Sequence, residues 1–331
     1  MGPLLFLCEV LREVLREGYY FFNETNRVAY PIIKINYMKK GISSIILLLI
    51  VTLQLTAQDK QPYTIAGTET YTINSKINQR VYNIAVSVPN NYNKSKKYPT
   101  YYILDGYYAF PIIAQANKLL GPWIVGNEIE EVIVVSITGK EKSFNEWLYQ
   151  RWPDYTFNQS IKFDTTFTKS WQSPEPLVSG KGDAFLEVIR KEIIPLIDNN
   201  YSTNKERGIS GHSLSGQFVA NLLFNANDIF SKFGINSPFL LLYNDNEIRR
   251  TEHNFSLTHH SLNAKIFLSY GGLEKPEEIK DLSEFEELLK KYQGVETKFV
   301  IFEDETHTSV IPAMVNRCLK FLYKKEKVKS N

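Results

Sequence analysis

The chain has 331 residues, a formal charge of +2, 43% apolar residues and 22% charged ones. That balance excludes low-complexity, collagen-like and disordered chains, and a charge so near zero gives no electrostatic case for nucleic acid as a partner. Two cysteines, Cys8 and Cys318, cannot build a disulfide framework, and no Cys/His spacing matches a zinc site, so stability must come from an apolar core.

Met38 is followed by Lys39 and Lys40, an apolar run over 42–55, then Thr56, Ala57 and a polar stretch beginning at Gln58. A basic start, an apolar centre and a small residue before a polar segment is the pattern of a secretory signal peptide, and the run falls short of the ~20 residues that span a bilayer. The expected organisation is an N-terminal extension over 1–37 that precedes the true start at Met38, a signal peptide over 38–57, and one mature domain over 58–331. Starting at Met1 instead, the apolar run would act as an internal anchor. No cysteine lies near Ala57 to carry a lipid. Cleavage removes six basic and four acidic residues, leaving 274 residues of zero net charge with Cys318 as the single thiol. The expected location is therefore periplasmic or secreted, with no membrane contact beyond export.

From 69 to 88 the residues alternate around the turn-prone Asn74, Ser75 and Asn78, which predicts a β-hairpin at a sheet edge. Continuous apolar runs at 100–104, 132–137, 265–270 and 299–302 suit strands covered on both faces, and helical periods occupy 184–199 and 218–226. A hairpin followed by alternating strands and helices predicts an α/β fold: a mostly parallel central sheet with helices on both faces. Between 139 and 182 there is no clean period, but Trp147, Trp152 and Trp171 all lie there. This aromatic-rich insertion, at about 140–182, reads as an irregular excursion that could cover a pocket while packing on itself.

The segment Arg207-Gly-Ile-Ser-Gly211-His-Ser213-Leu-Ser-Gly216, leading into a helical run, predicts a short strand, a sharp turn with Ser213 at its apex, and a helix. That is a nucleophile elbow, with Ser215 where the second glycine of the pattern usually stands. A serine nucleophile needs a base. Among the five histidines, His212 is expected to point away at such a turn, and His253, His259 and His260 follow no strand. His307 follows the strand at 299–302 and precedes the helical stretch 310–323, where an α/β-hydrolase sheet delivers its histidine after serine and acid in chain order. Glu274 is the first carboxylate after the strand at 265–270, ahead of Glu277, Glu278 and Asp281; Glu303, Asp304 and Glu305 read as solvated loop charge. Backbone N–H groups of Leu214 and, after the Asp105-Gly106 turn, of Tyr107 are the expected oxyanion donors.

On these residues the chain resembles the putative esterase group of α/β-hydrolases, which includes enterochelin-type siderophore esterases, esterase D and feruloyl esterases. The resemblance covers nearly the whole mature chain: the segment from Tyr98 to Gly106, Arg151-Trp-Pro-Asp154-Tyr155-Thr156, the helix at 185–201, the elbow, Ser237-Pro238, the stretch from Gly272 to Glu274, and His307. It implies an α/β-hydrolase fold and a Ser213/Glu274/His307 triad. It further implies hydrolysis of a small-molecule ester through an acyl-enzyme without a cofactor or metal. A trilactone catecholate siderophore is the first-choice substrate. A feruloyl-type esterase, an acyltransferase and a non-catalytic binding protein are the alternatives. The chain departs from the family at Ser215 and at Phe157, where proline is common after the threonine. Arg151, Trp152 and Tyr155 are the expected substrate contacts, with a pair between Arg151 and Asp154 as the structural alternative.

Overall fold

The computed structural model describes residues 62–239 and 247–325, with Ile42 and Ile45 from the leading segment. The extension over 1–37 and the signal peptide over 38–57 thus lie outside the described residues, those two isoleucines apart. The chain divides into Met1–Tyr63 and Thr64–Asn331, and the second unit carries the fold.

Eight strands form one sheet in the order β1-β2-β4-β3-β5-β6-β7-β8. The hairpin strands β1 (Thr68–Asn74) and β2 (Val81–Ser87) pair antiparallel, as their alternation predicts, and β2 runs antiparallel to β4 (Ile133–Thr138). All remaining pairs are parallel, through β3 (Tyr98–Ile103), β5 (Thr203–His212), β6 (Lys232–Asn236), β7 (Ser261–Gly271) and β8 (Gln293–Phe302). Strand β3 is buried along its whole length, because its side chains alternate between two cores. Tyr98, Tyr102 and Leu104 face a core closed by the helical stretch 182–200 and by α6 (Leu214–Asn225). Tyr101 and Ile103 face a second core closed by α1 (Gly106–Leu120) and α9 (Ile311–Leu322). Each fully buried Leu, Ile or Phe in these layers contributes roughly 1.5–3 kcal/mol, so two-sided coverage of the sheet supplies the stability that disulfides do not. This is the α/β architecture with helices on both faces that the patterning predicts.

Two regions differ from the sequence reading. Strand β6 was not anticipated: its five residues, KFGIN, are too few to show a period, and it forms because β5 and β7 satisfy it on both sides. The insertion is not irregular either, for it contains α2 (Phe144–Asp154) and α3 (Ile161–Ser170). Both begin at serine caps, Ser143 accepting from the Glu146 N–H and Ser160 from the Phe163 N–H. Their signal is in the caps rather than in an apolar stripe. The stretch 182–200 is helical as expected, formed by α4 (Gly182–Val188), a π turn over Ile189–Ile193 and α5 (Ile194–Asn200). The remaining helices, α7 (Glu247–Ser256) and α8 (Pro276–Leu289), flank β7 in sequence.

Candidate active site

The parallel strands end along one edge of the sheet, and the site is assembled there from the loops that follow β3, β5, β6, β7 and β8. Ser213 stands between β5 and α6 with φ 64° and ψ −122°, a conformation that costs a non-glycine residue on the order of 1–3 kcal/mol. Its N–H donates to the Asn236 carbonyl at 2.9 Å and its carbonyl accepts from Gln217 at 3.0 Å, so the turn is held from both sides. Gly211 is required by close approach: a Cβ there would lie 2.4 Å from the backbone carbon of Ser215.

Glu274 follows β7 with its carboxylate almost wholly buried. One oxygen accepts from Ser237 Oγ at 2.6 Å and from the Gly271 N–H at 2.8 Å; the other meets His307 Nδ1 at 2.5 Å. Burial pushes this carboxyl up, but the bonds from His307, Ser237 and Gly271 outweigh it and hold the acid below its ordinary value, hence ionised. With Nδ1 engaged by the acid, Nε2 is the nitrogen left for a substrate or nucleophile proton. Ser213 and His307 line the same cavity of about 500 Å³. Its walls are chiefly aromatic and aliphatic, with Tyr108, Phe144, Trp147, Trp171, Phe239 and Ile311 among them. Leu214 N–H and Tyr107 N–H, each in the first turn of its helix, have no acceptor among the described residues.

The structure therefore brings Glu274 onto His307 and opens Ser213 and His307 to one cavity, with the Tyr107 and Leu214 segments at the ends of adjacent strands β3 and β5. It corrects two expected substrate contacts, Trp152 and Tyr155, and the expected pairing of Arg151. Trp152 is 1% exposed and belongs to the core, its Nε1 donating to Asp164 at 2.7 Å and its ring packed on Phe167 and Trp171. Tyr155 is buried against Phe185 and Phe218, with its hydroxyl accepting from the Asp105 N–H. Arg151 does line the cavity, but its partner is Asp105, at 2.9 Å, and not Asp154, which takes Arg80 instead. Trp152 and Tyr155 face inward because the end of α2 packs Trp152 against α3 and the following Tyr155 against Phe185 of α4 and Phe218 of α6, while Trp147 and Arg151, one turn apart on the helix, face the cavity.

His212 also departs from expectation. Its ring lines the cavity, 4.6 Å from the His307 ring, with Nδ1 3.3 Å from the Tyr108 hydroxyl. Burial, then the neighbouring His307 and Arg151, lower its pKa well below the ordinary range, so it stays neutral and does not compete as a cation with His307 for the Glu274 carboxylate. Ser237 was not singled out as a supporting residue either; the Ser-Pro pair after a strand is the signal it offered.

The family model described as "Putative esterase" matches residues 75–307, a span that includes Ser213, Glu274 and His307. Ferri-bacillibactin esterase BesA of Bacillus subtilis (strain 168) is 29% identical over 268 residues, covering 78% of this chain and 90% of that protein. Among solved structures, BES protein from Bacillus cereus superposes with a TM-score of 0.70 at 25% identity, over 82% of this chain and 100% of that one. Siderophore hydrolase EstB from Aspergillus nidulans superposes with a TM-score of 0.66 at 18% identity, over 82% of this chain and 99% of that one. With a mostly parallel eight-stranded α/β-hydrolase sheet and a family match across more than two thirds of its length, this chain belongs to the putative esterase family, whose members hydrolyse esters.

Proposed function

We propose that the protein is an exported serine esterase that cleaves carboxylic esters through an acyl-enzyme, with a trilactone catecholate siderophore as its substrate. The observation that carries the reading is the 2.5 Å bond between a buried, ionised Glu274 and His307 Nδ1, in a cavity shared with the strained Ser213. Ser213 Oγ attacks the ester carbonyl carbon as His307 Nε2 takes its proton, and the oxyanion forms against Leu214 and Tyr107 N–H groups. His307 then gives the proton to the departing alcohol, leaving Ser213 acylated. Water, deprotonated by the same nitrogen, releases the acid and restores the serine. The aromatic walls suit flat rings carried by the substrate, and the siderophore-linked names of the relatives support catechol rings. The signal-like segment at 38–57 supports export.

A fluorophosphonate probe is expected to label the folded protein and to leave Ser213→Ala unlabelled; an unlabelled wild type would sink the serine reading. A panel of a trilactone catecholate, a feruloyl ester and a short p-nitrophenyl ester is expected to give the highest kcat/KM on the first. Equal rates on all three would remove the siderophore preference. Expressed from Met38, the protein is expected in the periplasm or medium with Gln58 at its N-terminus; retention of Met38 in the cytoplasm would overturn export.

A further inference from the structure

Ser215 stands where the elbow pattern usually has glycine, and its side chain is fully buried. Its Oγ lies 2.5 Å from Asp105 Oδ2, 2.8 Å from the His212 backbone nitrogen and 2.9 Å from the His212 carbonyl. A hydroxyl has one proton, and the charged, nearer carboxylate is the stronger acceptor, so Ser215 donates to Asp105 and accepts from the His212 N–H. One hydroxyl thus joins the residue before the nucleophile to the residue before the Gly106-Tyr107 turn.

Asp105 is built to receive this bond. It sits at φ 55°, left-handed, at the N-cap of α1, and its carboxylate also accepts from Arg151 at 2.9 Å and from Trp147 Nε1 at 3.0 Å. The following Gly106 packs closely on β4: a Cβ there would fall 1.7 Å from Ser136 Oγ and 3.1 Å from its Cβ, so a side chain would force Ser136 to move. Arg151 neutralises a carboxylate that would otherwise place negative charge beside a developing oxyanion. Its guanidinium lies over the Trp147 ring at 4.1 Å, which ties the same network to the aromatic wall.

We infer that Ser215 is a positioning residue which, through Asp105, sets the separation of the two oxyanion donors, Leu214 N–H and Tyr107 N–H. The inference rests on the esterase reading above. A donor pair held at the wrong spacing weakens binding of the transition state while leaving ground-state binding almost untouched.

The test compares wild type, Ser215→Ala and Ser215→Gly on p-nitrophenyl acetate and against a trifluoromethyl ketone, which forms a tetrahedral oxyanion adduct. Both variants are expected to lose about ten- to hundredfold in kcat, to keep KM within about twofold, and to bind the ketone weaker by the same factor as the loss in kcat. In a double-mutant cycle, Ser215→Ala is expected to add little to the loss caused by Asp105→Asn. A role in folding alone would lower Tm and leave kcat and ketone affinity per folded molecule unchanged. That result overturns the inference, as do additive losses in the cycle. Should Ser215→Ala fail to fold, Ser215→Gly, which restores the usual elbow residue, decides by the same criteria. A wild type that neither hydrolyses the ester nor reacts with fluorophosphonate refutes the esterase reading itself, and this inference with it.

Discussion

Ser213 adopts a backbone conformation that serine rarely chooses unaided, and its neighbours supply the restraint: Asn236 and Gln217 hold its peptide groups, and Gly211 makes room for the helix that follows. Asn236 is itself fixed, accepting from Ser269 Oγ at 2.8 Å and donating to the Gly211 carbonyl at 3.0 Å. Glu274 is the residue whose charge state matters most for His307. In Glu274→Gln the amide can present an N–H to His307 Nδ1, which moves the ring proton to Nε2 and removes the acceptor that Ser213 needs. The expected outcome is a fall in kcat of roughly 10³–10⁴-fold with KM little changed, measured on a p-nitrophenyl ester at neutral pH. Fluorophosphonate labelling of the same variant is expected to slow in parallel. The elbow serine and the histidine after the last strand were legible in the sequence, because each is defined by its position relative to a local element. The partner of Arg151 was not: Asp154 is three residues away along the chain, and the nearer carboxylate in space, Asp105, is 46 residues distant.

Helix α2 is where an element serves both core and site. Its Trp147 and Arg151 face the cavity, its Trp152 locks into α3, and its last residue, Asp154, is buried beside Arg80 and Tyr82. One Asp154 oxygen has no partner among the described residues, and burial raises this acid from 3.8 to about 6 against the opposing effects of Arg80 and Tyr82. The sign follows from linkage. A folded-state pKa above the unfolded value means the folded form holds its proton longer, so stability falls as pH rises from about 4 to about 6 and is level above that. Asp154→Asn is expected to lack this loss and so to gain on the order of 2 kcal/mol over wild type at pH 7 relative to pH 4. Urea titrations of both proteins at several pH values check this; parallel curves would refute it. Expecting an irregular excursion here was an error of periodicity: aromatic residues packed on several sides of α2 and α3 leave no single apolar stripe. The serine caps at 143 and 160 were readable signals.

At the scale of the whole molecule, the sheet places on one edge the segments that follow its six parallel strands, β4 with its aromatic excursion included, and the cavity there is apolar. Among the described residues lining it, Arg151 is the single lysine or arginine, and it is already paired with Asp105. Substrate capture should therefore rest on burial and stacking rather than on charge. For a neutral aromatic ester, KM is expected to change by less than about twofold between about 0.05 and about 0.5 M NaCl, whereas capture by exposed charge would weaken with salt. The sequence by itself determined the α/β class, the hairpin, most strands, the elbow turn at Ser213, and the places of Glu274 and His307 after successive strands. These features are local in origin: they depend on period, turn residues and succession along the chain. Only the tertiary structure decided which aromatic residues face the cavity, that His212 joins its wall, that Arg151 serves Asp105, and that Ser215 bridges two turns. These depend on contacts between residues far apart in sequence, through burial and hydrogen-bond geometry that no local pattern encodes.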